Sequence, residues 1–135
     1  FIDLFCGPGG FSLGFKAAGF NCVGAFDNWD PAIKTHKKNF KNTKIYSKSI
    51  DDYSNSDIKE IFNNTKVDLI IGGPPCQGFS SIGKKNVNDK RNDLIFEFGR
   101  IVKLIKPSFF IMENVSGLIH DKNVFYFPLS RHNNI

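Results

Sequence analysis

The chain is short of the groups that cross-link proteins or bind metals. Cys6, Cys22 and Cys76 are too few and too scattered for a disulfide framework, and no Cys-x-x-Cys pair or histidine cluster points to a metal. A reducing compartment is the natural home of such a sequence. No apolar stretch approaches the roughly 20 residues that cross a bilayer, and no basic region followed by an apolar core opens the chain, so no membrane partner is expected. Methionine occurs once, at Met112, and the first residue is Phe1, as expected of a processed protein or a piece of a longer one. His36, His120 and His132 show no pairing that suggests a base or a ligand, and are read as surface residues.

What is present is ordinary for a globular domain. The chain has 135 residues, 41% hydrophobic and 23% charged, enough for about one domain with a real core. Fifteen phenylalanines stand against one tryptophan and three tyrosines, a bias that we read as nucleotide composition rather than function. The net charge of +5 favours a polyanionic partner.

Strand and helix patterns alternate. Residues 1–5 read as a strand, followed by a glycine-rich loop and a helix over 11–18 that stops at Gly19. Residues 21–26 form a second strand with Cys22 packed in it. Asp30 then caps a helix that has Pro31 at its first position and Ile33, Lys37 and Phe40 along one side, ending near 40. A weak strand at 44–47 precedes a short helix capped by Ser56 or Asp57 and carrying Ile58, Ile61 and Phe62. The apolar run 67–71 reads as a strand buried on both faces. Residues 80–92 are polar, without apolar period, and are expected to be a mobile surface loop. Leu94, Ile95, Phe98, Ile101, Val102 and Ile105 recur at helical spacing until Pro107, and 109–112 is a fifth strand. This alternation predicts an α/β fold with a parallel sheet and right-handed crossovers.

In open sheets of this kind ligands bind at the carboxyl ends of the strands. Three elements fall there: the loop from Asp3 to Gly10, the turn ending in Cys76, and Glu113. The loop Gly7-Pro-Gly-Gly10 lacks the third glycine of a dinucleotide fingerprint and has no Gly-Lys-Ser/Thr phosphate cradle, but permits close backbone approach. The second strand delivers Asp27-Asn-Trp29, an acid suited to hydroxyl groups and an aromatic plane that either joins the core or serves as a stacking platform. A free cysteine is ordinarily a small buried hydrophobe. The rigid Gly-Gly-Pro-Pro-Cys-Gln frame argues instead that Cys76 is held out as a nucleophile.

Asp3-Leu-Phe-Cys-Gly-Pro-Gly-Gly10, Gly73-Pro-Pro-Cys-Gln-Gly-Phe-Ser80 and Glu113-Asn-Val115, in this order and spacing, resemble the signature blocks of the DNA cytosine-5 methyltransferases. The resemblance covers residues 1–118, corresponding to the first half or so of the catalytic domain, and implies the Rossmann-like fold of S-adenosylmethionine-dependent methyltransferases, left incomplete. It implies a cofactor site for S-adenosylmethionine at Asp3, Phe5, Gly7 and Gly10, at the strand end Asp27, Asn28 and Trp29, and at Ile50, Pro74 and Leu94. Trp29 would stack on adenine. The family usually has a glutamate before that aromatic residue, where Asn28 stands here, with Asp27 one position earlier; either could hold the ribose. The family's Asp-Ile pair after the third strand appears as Ser49-Ile50. Asp89-x-Arg91-Asn92-x-Leu94 resembles the block after the mobile loop.

Catalysis is implied at Cys76 and Glu113, and substrate binding at Pro75, Gln77, Ser80, Lys84, Arg91, Asn114 and Val115. Carbon C5 of cytosine is too poor a nucleophile to take a methyl group unaided. The Cys76 thiolate would add to C6 and push density to C5; after methylation, loss of the C5 proton and expulsion of the thiolate restore the ring. Glu113 would hydrogen-bond the N3/N4 edge and donate a proton at N3. The partner implied is double-stranded DNA with its target cytosine flipped out, at a cost of about a few kcal/mol. Lys84, Lys85, Lys90 and Arg91 stand where a closing loop would meet phosphate, though a solvated loop is the plainer reading of such a run.

The family's Gln-x-Arg-x-Arg block, target-recognition region and closing cofactor block find no counterpart, and residues 119–135 form an atypical tail. The missing C-terminal half of the same enzyme is thus an expected partner, and apolar surface should stand exposed where it packs. The compartment implied is a bacterial cytoplasm or a eukaryotic nucleus. Two other readings remain open on sequence: an RNA (tRNA) cytosine-5 methyltransferase on the same domain, and a non-catalytic remnant.

Overall fold

The computed structural model describes residues 1–75 and 93–114. Five strands, β1 (Ile2–Leu4), β2 (Gly24–Phe26), β3 (Ile45–Tyr46), β4 (Leu69–Gly72) and β5 (Phe109–Met112), form one sheet in the order β3-β2-β1-β4-β5. Every pairing is parallel, with Leu4 opposite Phe26 on one side and Gly72 on the other. Helices α1 (Gly10–Ala17), α2 (Asp30–Asn39), α3 (Asn55–Ile61) and α4 (Asp93–Ile105) connect the strands. The chain starts at the centre, works outward to β3, then crosses back to place β4 and β5 on the far side of β1. The strand order therefore reverses between β1 and β4, which opens a crevice at their carboxyl ends.

Local sequence explains most of the boundaries. Helix α1 stops where Gly19 adopts φ 91°, with Phe20 N donating to Phe15 O and Gly19 N to Lys16 O, both at 3.0 Å. The Phe15 and Phe20 rings meet 5.6 Å apart across that stop, completing a Schellman ending. Helix α3 is capped by Ser54 rather than by Ser56 or Asp57: Ser54 Oγ accepts from Asp57 N, and Asp57 Oδ2 accepts from Ser54 N at 2.8 Å. Asp57 is thus the far partner of a capping box. Helix α2 begins at Asp30, with Trp29 as its cap and no side-chain cap bond, so Asp30 is the first helical residue and not the cap. Strand β2 is shorter than the expected 21–26, although residues before Gly24 still bond to the chain start, through Phe1 N to Asn21 O and Val23 N to Phe1 O.

Two apolar clusters cover the sheet, one built on Ile2, Leu4, Phe26, Ile70, Phe98 and Ile101, the other on Phe1, Cys6, Cys22, Ala25 and Ile71. His36, expected at the surface, is fully buried. It follows Ala32 and Ile33 at helical spacing on the core face of α2, and its ring lies 4.5 Å from that of Phe40. Neither ring nitrogen has a hydrogen-bond partner among the described residues, and burial lowers its pKa against a weaker upward pull from Asp27. At the opposite edge, β5 leaves Phe109, Phe110 and Ile111 exposed at 72%, 43% and 45%. No helix among the described residues is long and apolar enough to cross a membrane.

Candidate active site

The crevice is built from the glycine loop outward. Phe5 leaves β1 with φ 59°, a left-handed conformation rare for an aromatic residue, and Gly7 and Gly9 follow at 54° and 103°. Strain of this kind gathers where a backbone is held for function. Gly9 has no room for a side chain, since a Cβ there would strike the Phe40 ring. The loop is fastened from the neighbouring strand end: Gly7 N donates to Asp27 Oδ2 and Trp29 N to Asp27 Oδ1, each at 2.8 Å. Oδ2 of Asp27 therefore ties β1's loop to β2's end, while Oδ1 closes the local turn into Trp29.

Behind the loop lies Asp3, 1% exposed, accepting from Ser12 Oγ at 2.6 Å. Burial raises its pKa from 3.8 to about 6, with a smaller push from Asp27, the Ser12 hydroxyl and backbone opposing. The raised value means that stability is greatest below the unfolded pKa and declines as pH rises through about 6. Asp3→Asn keeps an acceptor for Ser12 and removes the charge. Denaturant unfolding should show it more stable than wild type by about 1–3 kcal/mol at pH 8, the difference vanishing below about pH 4. A variant less stable than wild type at pH 8 would show that the buried charge is compensated.

A cavity of roughly 370 Å³ opens at the crevice, lined by Phe5, Phe26, Asp27, Asn28, Trp29, Lys48, Ser49, Ile50, Gly73, Pro75 and Leu94. Phe5, Asp27, Asn28, Trp29, Ile50 and Leu94 of the expected cofactor residues lie on its wall, joined by Pro75 from the expected substrate set. Asp3, Gly7, Gly10 and Pro74 are not wall residues. The expected site residues did not include Phe26, Lys48, Ser49 and Gly73. A signal for Lys48 existed, since it precedes the Ser49-Ile50 pair. Trp29 is 64% exposed and so is a surface plane, not a core residue.

Glu113 reaches the same edge. Its backbone N donates to Gly72 O at 3.0 Å, and its carboxylate borders Gly73, where an added Cβ would lie 3.2 Å from Oε2. Asn114 Nδ2 donates to Pro74 O at 3.2 Å. The end of β5 thus grips the turn that leads into Cys76. Cys76, Gln77, Ser80, Lys84, Arg91 and Val115 lie outside the described residues, as do the 80–92 loop, His120, His132 and the tail. Cys6 and Cys22 are buried, and burial pushes both thiols up, so neither suits a nucleophile. Among the described residues no group of His, Cys, Asp and Glu could hold a metal ion.

The family model for C-5 cytosine-specific DNA methylases matches residues 1–129. The chain belongs to this family. It is 47% identical over 117 residues to the type II methyltransferase M.HindV of Haemophilus influenzae, covering 87% of this chain and 38% of that protein. Over 124 residues it is 44% identical to M.XorII of Xanthomonas oryzae, covering 90% of this chain and 29% of the relative. A solved E. coli structure described as a DNA modification methyltransferase encoded within a prophage superposes with a TM-score of 0.78 at 42% identity, over 90% of this chain and 33% of that one. The chain therefore spans about a third of the length of these methylases, and the sheet described above is the methyltransferase fold over that length.

Proposed function

We propose that the protein carrying this chain methylates C5 of a cytosine in double-stranded DNA, with S-adenosylmethionine as donor and the crevice between β1 and β4 as the donor site. The observation that carries the reading is convergence: the cavity, the carboxylate of Glu113 and the turn into Cys76 share one sheet edge. The cavity suits the nucleoside part of the cofactor in size and lining. Apolar walls come from Phe5, Phe26, Ile50, Pro75 and Leu94, with hydrogen-bonding groups at Asn28, Ser49 and Lys48. The exposed ring of Trp29 offers a face to adenine. Bound there, the cofactor supplies an electrophilic methyl group. Cys76 adds to C6 of the flipped base, and Glu113 holds its N3/N4 edge.

The ribose falls to Asn28. Asp27 already accepts a backbone N–H at each oxygen, whereas Asn28 is exposed on the cavity wall. Asn28→Ala should raise the Kd for S-adenosylmethionine by about 5–30-fold at an unchanged melting temperature, the loss of one or two hydrogen bonds. Asp27→Asn should lower the melting temperature, because an amide nitrogen then faces a backbone donor. Titration followed by Trp29 fluorescence reads the first effect and thermal unfolding the second. The function itself is tested with labelled S-adenosylmethionine and the whole protein, offered duplex DNA and tRNA separately. Label in DNA supports the proposal; label in tRNA alone, or in neither, sinks it.

A further inference from the structure

Arg100 lies on α4 six residues beyond the cavity residue Leu94, about 9 Å along the axis. Its guanidinium spans to another part of the chain. Nη2 donates to Ile50 O at 3.1 Å and Tyr53 O at 3.0 Å, while Nη1 donates to Asn55 Oδ1 at 2.7 Å. Nε donates to Glu97 Oε2 at 2.7 Å, which fixes the fork from its own helix. The side chains of Arg100 and Glu97 are only 25% and 23% exposed, so these charge-assisted bonds are partly shielded from water.

The carbonyls held this way belong to a three-residue 3₁₀ turn, Ile50–Asp52, and to Tyr53 at its end. The turn's own bonds are Asp52 N to Ser49 O at 3.1 Å and Tyr53 N to Ile50 O at 3.3 Å. A single short turn of this kind holds its shape poorly alone. Yet Ser49 and Ile50 are cavity wall. Helix α4 thus lines the cavity directly through Leu94 and supports a second part of its wall through Arg100. We infer that Arg100 is a positioning residue of the cofactor site, fixing the Ser49–Ile50 wall from outside the cavity. The inference rests on the reading of the cavity as a cofactor site. A lysine cannot replace it fully, because one ammonium lacks the planar fork that serves Ile50, Tyr53 and Asn55 together.

The test uses the whole protein with Arg100→Met, which keeps the apolar stem, Arg100→Lys, and Leu69→Ala as a destabilised control in the other core cluster. Two quantities are read: amide exchange of Asp52 and Tyr53 without ligand, and the Kd for S-adenosylmethionine. Arg100→Met should speed exchange about tenfold and raise Kd about tenfold, Arg100→Lys should recover part of both, and Leu69→Ala should change neither locally. Unchanged exchange in Arg100→Met, the same acceleration in Leu69→Ala, or faster exchange with an unchanged Kd would each overturn the inference. Wild-type protein that binds no S-adenosylmethionine, with exchange responding as expected, would strike the function proposed above and leave the hold of Arg100 on the cavity wall established.

Discussion

Cys76→Ala in the whole protein should reduce methyl transfer to duplex DNA by ~10⁴-fold or more, with the Kd for S-adenosylmethionine within about twofold of wild type. The effect is large because cytosine C5 lacks the electron density to take a methyl group until a nucleophile has added at C6. Neither described cysteine can stand in: Cys6 and Cys22 are buried, with thiols pushed up by desolvation and by nearby Asp3. Cofactor binding should survive because the thiolate's part is the bond to C6 of the base, not a contact with the methyl donor. DNA carrying 5-fluorocytosine isolates the covalent step, since fluorine at C5 prevents the loss that would release the enzyme. Wild type should accumulate a denaturant-resistant complex and Cys76→Ala none. Transfer by the variant within tenfold of wild type would end the nucleophile assignment.

The sheet was legible where the signal is local. Val67 to Ile71 announces a buried strand, and Leu94 to Ile105 an amphipathic helix, and both stand within about two residues of the observed bounds. Parallel pairing followed from strand and helix alternation, but no local pattern says that β4 lies on the far side of β1 from β2; that depends on contacts between distant residues. The same limit hid the 3₁₀ turn at Ile50–Asp52, whose first carbonyl is bonded by Arg100, 50 residues away in sequence. His36 was misjudged for a different reason. Residue type was given more weight than helical phase, although Ala32, Ile33 and Phe40 mark the stripe on which it lies. The blocks at Asp3–Gly10 and Glu113–Asn114 pointed to the sheet edge where the cavity lies, whereas the division between wall residues and residues that brace the wall required coordinates. Asp27 shows this: it stands on the cavity wall and also clasps the glycine loop through Gly7 N.

Gly72→Ala should destabilise the protein by about 3 kcal/mol or more, enough to reduce soluble yield, although it adds one methyl group. Gly72 pairs with Leu4 across β1 and β4, and a Cβ there would strike Leu4 O and lie 3.1 Å from Leu4 Cβ. The obstacle is backbone, which cannot rotate away as a side chain would. Relief requires β1 and β4 to separate at their carboxyl ends, where Phe5 and Gly73 form the cavity wall and Glu113 N bonds Gly72 O. Cofactor affinity should therefore fall together with stability. Gly14→Ala is the matched control: it lies within α1, its added Cβ meets nothing within 4 Å, and the exchange should stabilise by about 0.5–1 kcal/mol through helix propensity. Denaturant midpoints of the two variants should therefore move in opposite directions. A Gly72→Ala midpoint within about 0.5 kcal/mol of wild type would mean that the strands yield at this point, and the close approach of β1 to β4 would no longer explain why glycine stands at the end of β4.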